Sequence, residues 1–214
     1  MSILKIENVS FSYRKNKMVL KEINFAFEKG TTYSITGKSG SGKTTLLSLI
    51  SGLETVQTGK IYYMDKDISK IDKETYRSKN IGVVFQSFNL LPHLTALENV
   101  VLSLDISGVA LNSKAKKQRA LELLSKVGLD EDLANRRVLK LSGGEQQRVA
   151  IARAISYNPD IIIADEPTGN LDTATETEIM DLLISLAKKD EKCVIIVTHS
   201  PTVSERTDMV YKIS

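Results

Sequence analysis

The stretch Gly37-Lys38-Ser39-Gly40-Ser41-Gly42-Lys43-Thr44-Thr45 constrains the fold more than any other part of the chain. Before it, residues 31–36 read as a short strand; after it, Leu46, Leu47 and Ile50 recur at helical spacing until Gly52. A Gly-x4-Gly-Lys-Thr pattern between strand and helix is a phosphate-binding loop. Its glycines let backbone N–H groups close around phosphates, Lys43 supplies a point charge, and the Thr44 hydroxyl can ligate Mg²⁺. The N-terminus of the following helix adds its dipole. A glycine-rich turn with a chance lysine would not require both flanks.

Around this loop the chain reads as alternating strands and helices. Half-buried alternation marks strands at Leu4-Lys5-Ile6 and Ile23-Asn24-Phe25-Ala26-Phe27, the latter closed by a Lys29-Gly30 turn. Short strands follow at residues 60–64 and 81–85, separated by a charged, solvated stretch over 65–79. Residues 87–157 read as helices, with capping boxes at Thr95…Glu98 and Ser142…Glu145, and a third expected further on at Thr173…Glu176. Two continuous apolar strands, 160–164 and 192–198, flank a helix carrying Ile179, Leu182, Leu183 and Leu186; that pattern predicts a parallel sheet covered on both faces.

At 214 residues the chain is long enough for one well-buried domain. Cys193 is its single cysteine, and His93 and His199 its two histidines, so neither an internal disulfide nor a Cys/His zinc site is expected and the reducing cytoplasm suits it. Glu7 and polar residues follow only a few apolar ones in the first ten residues, so no secretory signal is expected there, and the longest apolar runs fall far below the ~20 residues of a membrane helix. With 29 Lys+Arg against 26 Asp+Glu the net charge is +3. The local excess Lys114, Lys116, Lys117 and Arg119 lies opposite the apolar Leu121, Leu124 and Val127 of an amphipathic helix, which predicts a solvated face and not a nucleic-acid surface.

Two carboxylates, Asp165 and Glu166, end the apolar run Ile161-Ile162-Ile163-Ala164, where open parallel sheets bind ligands. This is a Walker B arrangement: Asp165 is expected in the magnesium shell, and Glu166 as the general base that deprotonates an attacking water. Upstream, Leu141-Ser142-Gly143-Gly144-Glu145-Gln146-Gln147-Arg148 opens a helix. Ser142, Gly143 and Gly144 make a second helix-N-terminus anion site, one without its own phosphate lysine. An ordinary capping box explains Ser142 and Glu145 but not the paired glycines, Gln146 and Gln147.

With this segment the sequence resembles the ATP-binding-cassette (ABC) ATPases, and nearly the whole chain follows their order of phosphate loop, Gln86, signature, Walker B and His199. The resemblance implies an α/β P-loop NTPase. Its mainly parallel sheet core would carry an antiparallel β subdomain on the N-terminal side and an inserted helical subdomain. A single domain over residues 1–214 is expected, with 1–86 and 159–214 as nucleotide-binding core and 87–158 as helical subdomain. ATP and Mg²⁺ are the implied cofactors. The implied assembly is a head-to-tail homodimer in which each ATP lies between one subunit's phosphate loop and the other's signature, Ser142 to Gln146. The resemblance also implies that Tyr13 stacks on adenine, with Phe11 and Tyr33 as nearby aromatics, and that Gln86 senses magnesium and water. His199 would contact the γ-phosphate, and Asp172 would be the acidic member of the interface loop Gly169-Asn170-Leu171-Asp172.

Residues 85–100 and 165–172 resemble the macrolide-exporter and lipoprotein-release branch, related to the cell-division ATPases. A separate integral membrane permease is therefore expected as partner, which places the chain in the cytoplasm on the inner face of the membrane without insertion of its own. A regulator of a membrane partner in cell division, without transport, is the alternative. A soluble cassette acting on DNA or the ribosome would carry a long coiled coil or a second cassette, for which 214 residues leave no room. Thr44, Lys38 and Ser200 stand where the family often has Ser, Pro and Asp. The last strand, at residues 209–213, is followed by Ser214, where relatives usually run on, so a shortened C-terminus is expected. The apolar run Phe88, Leu90, Leu91 and Leu94 is expected to divide between internal packing and a partner's helix.

Overall fold

Two sheets share the chain, and the phosphate loop sits where they meet. The structure, a computed structural model, describes residues 2–14 and 17–213. In chain order, β1 (Ser2–Arg14) and β2 (Lys17–Glu28) lead to β3 (Thr32–Thr36), the loop, and α1 (Lys43–Ile50). Next come β4 (Thr58–Tyr63), β5 (Lys66–Asp67), α2 (Lys73–Thr75) and β6 (Ile81–Val84). Helices α3 (Ala96–Ile106), α4 (Ser113–Lys126), α5 (Glu131–Ala134) and α6 (Gly143–Ile155) follow, then β7 (Ile161–Asp165), α7 (Thr173–Lys188), β8 (Cys193–Val197), α8 (Pro201–Glu205) and β9 (Met209–Lys212).

Among the described residues, four strands form an antiparallel sheet in the order β2-β1-β4-β5, and five form a parallel sheet in the order β6-β7-β8-β3-β9. Strand periodicity divides the parallel sheet's side chains between two cores. Ile162, Ala164, Val194 and Ile196 pack with α3, α4, α6 and α7, while Ile161, Ile163, Ile195 and Val197 pack with α1 and the antiparallel sheet. An aromatic junction ties the sheets together: Tyr211 of β9 stacks on Phe25 of β2 at 4.2 Å, and its hydroxyl donates to the Ala26 carbonyl at 2.7 Å.

Helix starts follow local chemistry. The boxes at Thr95 and Ser142 are both formed, each hydroxyl accepting from the backbone of a glutamate that reaches back to the cap. At α7 the expected Thr173…Glu176 box gives way to Asp172 as cap, one residue earlier. Its carboxylate accepts from the N–H groups of Ala174 and Thr175 and from the Thr175 hydroxyl, three bonds that a threonine cannot match. The 65–79 stretch is not wholly solvated: Tyr76 is 1% exposed and its hydroxyl donates to the Ile50 carbonyl at 3.1 Å.

Candidate active site

The carboxyl ends of β3, β6, β7 and β8 converge on a cavity of about 330 Å³. Its lining includes Ser39, Gly40, Gly42, Lys43, Thr44 and Thr45 from the phosphate loop, Gln86 from beyond β6, and Asp165 and Glu166 from β7. The loop winds around its own lysine. Lys43 Nζ donates to the carbonyls of Gly37 at 2.8 Å and Lys38 at 3.1 Å, which fixes the ammonium at the cavity wall. Gly42 must be glycine: its φ is +95°, and a Cβ there would meet Leu20 Cδ2 at 2.7 Å and the Val19 carbonyl at 2.9 Å. Gly40, at φ +79°, has open space around it, so its left-handed backbone and not crowding selects glycine. Ser41 Oγ is buried and has no hydrogen-bond partner within the described residues.

Burial pushes the Asp165 carboxyl up from its ordinary pKa, Glu166 beside it adds to this, and Lys43 opposes both. Glu166 follows at φ +45°, a left-handed backbone that costs about 1–3 kcal/mol for a non-glycine residue, and it is the one residue of that kind among the described residues that lines the cavity. Its N–H donates to the Val197 carbonyl at 2.9 Å, and its carbonyl accepts from Gly169 at 3.2 Å. His199 Nδ1 lies 2.7 Å from Glu166 Oε1; a carboxylate only accepts, so Nδ1 carries the proton. Thr198 Oγ1 donates to Glu166 Oε2 at 3.3 Å while accepting from the Ser200 N–H at 3.0 Å. Thr198 is absent from the sequence-derived set; a hydroxyl next to His199 is its only signal. Ser200, where the family often has Asp, caps α8.

Tyr13 lies outside the cavity lining, 61% exposed, with its hydroxyl accepting from Thr45 Oγ1 at 3.3 Å. Phe11 and Tyr33, the other aromatics nearby in sequence, are both buried in the core. The signature residues also stand apart from the cavity. Ser142 and Gly143 are exposed at the N-terminus of α6, Glu145 Oε2 accepts from the Ser142 N–H at 2.7 Å, and Gln146 donates to the Leu141 carbonyl at 2.9 Å. Gly144 lets this end of α6 seat against α7, since a Cβ there would lie 2.5 Å from Thr175 Cγ2. Asp172 is at the α7 cap, outside the cavity.

The apolar run after Gln86 divides. Phe88 and Leu90 pack against the helical core, whereas Leu91 is 38% exposed and, with Ile106 at 72%, lines a second cavity of about 690 Å³ that also takes in Arg77, Asn89, Arg153 and Tyr157.

The family model for ABC transporters matches residues 20–169. YclH of Bacillus subtilis, an uncharacterised ABC transporter ATP-binding protein, is 45% identical over 215 residues, covering 100% of this chain and 94% of its own. LolD of Legionella pneumophila, a lipoprotein-releasing system ATP-binding protein, is 44% identical over 195 residues, 90% of this chain and 85% of its own. Among solved structures, the ATP-binding cassette MJ0796 of Methanocaldococcus jannaschii, a dimer in a post-hydrolysis state bound to ADP and Pi, matches with a TM-score of 0.88 at 40% identity, covering 99% of this chain and 94% of that one.

Proposed function

The chain belongs to the ABC transporter family, in the branch of lipoprotein-release and macrolide-export ATP-binding subunits, and is an ATPase; from that premise we propose that a homodimer of it powers a separate integral membrane permease of the efflux or mechanotransmission kind. One observation carries the reading. The cavity holds the phosphate lysine and the paired carboxylates but no signature residue, while the exposed start of α6 offers an anion site that lacks a lysine. Two copies placed head to tail complete each other.

In this reading Lys43 and the backbone N–H groups of Gly40, Gly42 and Thr45 hold the β- and γ-phosphates of ATP, while the Ser41 N–H closes the loop on the Lys38 carbonyl at 3.1 Å. Tyr13 stacks on adenine, because it is the exposed aromatic of its neighbourhood. Thr44, Gln86 and Asp165 would hold Mg²⁺. One hydroxyl, one amide and one carboxylate, completed by phosphate oxygens, is a magnesium donor set, and a cation there would offset the crowding of negative charge at Asp165. Bound there, the ion would neutralise charge on the β- and γ-phosphoryl oxygens. Glu166, held from both sides by Thr198 and His199, accepts the proton of the attacking water, and the other ring nitrogen of His199 bonds the γ-phosphate when it too carries a proton. The second copy's Ser142, Gly143, Gly144, Glu145 and Gln146 close over that phosphate, and Asp172 lies in the loop crossing between copies.

No helix among the described residues is long and apolar enough to cross a membrane. The 690 Å³ cavity, with Leu91 and Ile106 exposed on its walls, is the surface assigned to the permease's cytoplasmic segment, which would hold the chain at the inner face of the membrane. A cell-division partner regulated without transport would use the same surface; the neighbouring membrane protein that co-purifies separates the two.

Replacing Glu166 with Gln tests the chemistry. Shape is kept and the base removed, so ATP binding should persist while turnover falls by ~10²–10⁴. The variant should elute as a dimer with ATP and as a monomer without it. Phosphate release above a tenth of wild type would count against Glu166 as the base.

A further inference from the structure

Two consecutive residues just beyond Gln86, Phe88 at φ +57° and Asn89 at φ +50°, have left-handed backbones. For a bulky aromatic this is a true outlier, so contacts outside the bend must hold it. Phe88 packs against the helical core and Asn99 bonds the N–H and carbonyl of Leu91 just beyond, at 2.8 and 3.2 Å, but the carbonyls of the bend itself are gripped by one side chain. Arg153 donates through Nη2 to the Phe88 carbonyl at 2.8 Å and through Nη1 to the Asn89 carbonyl. Burial lowers the pKa of the guanidinium, in keeping with a desolvated clamp.

Arg153 lies near the C-terminal end of α6, whose other end is the signature. It lies eleven positions beyond Ser142, about 16 Å of helix at 1.5 Å per residue. That end of α6 is itself anchored on α3: Ser103 Oγ donates to the Arg153 carbonyl at 3.2 Å, and Ser156 Oγ donates to Ser103 Oγ at 3.1 Å. One rigid element therefore presents the signature at its start and grips the chain after Gln86 near its finish.

We propose that Arg153 is a positioning residue that sets the place of Gln86 in the cavity by holding the two carbonyls of the bend just beyond it. This rests on the reading of Gln86 as the residue that senses magnesium and water. Arg153→Met keeps the aliphatic stem and removes both donors; Arg153→Lys can reach one carbonyl. In Arg153→Met, kcat should fall about tenfold or more, as displacement of a catalytic group does, with the KM for ATP within about twofold of wild type. Amide exchange over residues 87–91 should rise while that of residues 143–155 holds, and Arg153→Lys should recover part of kcat. Gln86→Ala is run beside them. Normal turnover by Gln86→Ala would overturn the reading of Gln86 and with it the kinetic half of this proposal. Impaired turnover by Gln86→Ala with normal kcat in Arg153→Met, or unchanged exchange over 87–91, would overturn the clamp alone. A fall in melting temperature together with a raised KM and no recovery by lysine would make Arg153 merely structural, and would overturn it too.

Discussion

At the scale of single residues, the signature's second glycine has a packing reason independent of any phosphate. An alanine at 144 gains up to about 1 kcal/mol of helix propensity, but its Cβ would lie 2.5 Å from Thr175 Cγ2, an overlap that typically costs about 1–3 kcal/mol. The clash should win. Gly144→Ala is therefore expected to lower the melting temperature of the nucleotide-free chain. In a Thr175→Ser background, which removes Cγ2 and keeps a hydroxyl to bond Asp172 at the site of the 2.6 Å contact, the same substitution should become neutral or stabilising. A rise in melting temperature for Gly144→Ala in the wild-type background would mean that α6 and α7 are not held this closely. The contact seats the signature on the helix that Asp172 caps, which packs together the two segments that the proposed function assigns to the dimer interface. Glu166 shows the opposite economy: its backbone is strained, and four hydrogen bonds, two on the main chain and two on the carboxylate, keep it there.

At the scale of elements, what could be read from the sequence is what local chemistry decides. The starts of α3 and α6 are legible because a hydroxyl and a glutamate three residues on satisfy each other without help from elsewhere. The start of α7 misleads by one residue because an aspartate just before the threonine accepts more bonds. Hydrogen bonds from the Thr175 hydroxyl and N–H hold the Asp172 carboxyl below its ordinary pKa. A depressed pKa means that the stabilisation is present above the ordinary aspartate value and is lost as pH falls through the depressed one. Asp172→Ala should thus lower the melting temperature at neutral pH, with the difference from wild type shrinking in acid, while Asp172→Asn, a good cap without the charge, should lose less and show no such pH dependence. A gap between wild type and Asp172→Ala that stays constant down to strongly acidic pH would sink this account of the cap. The β7 and β8 runs are legible as strands buried on both faces, but Tyr76 is not. It sits among charges, and only the tertiary fold, bringing Ile50 to its hydroxyl, shows that it belongs to the core. Thr198 is hidden for the same reason, since its partner Glu166 lies 32 residues away in the chain.

At the scale of the whole molecule, the parallel sheet separates two cores, one built with the helices that carry the signature and one with the antiparallel sheet beside the phosphate loop. The two halves of the proposed catalytic machinery thus belong to different faces of one chain, and in the proposed arrangement a second copy brings them together. Lys43→Ala removes the phosphate charge from a subunit's own loop. Ser142→Arg leaves that loop intact but places a bulky side chain on the exposed signature that the other copy must approach. Each variant alone should be nearly inactive, since in a homodimer every composite site then carries a lesion. In a mixed dimer one composite site takes both lesions and the other takes none. Measurable ATP hydrolysis on mixing the two inactive proteins, rising with the fraction of mixed dimer, is the expected result of the head-to-tail arrangement. Normal turnover by Ser142→Arg alone would reject it, because a site complete within one subunit has no need of a signature from its partner.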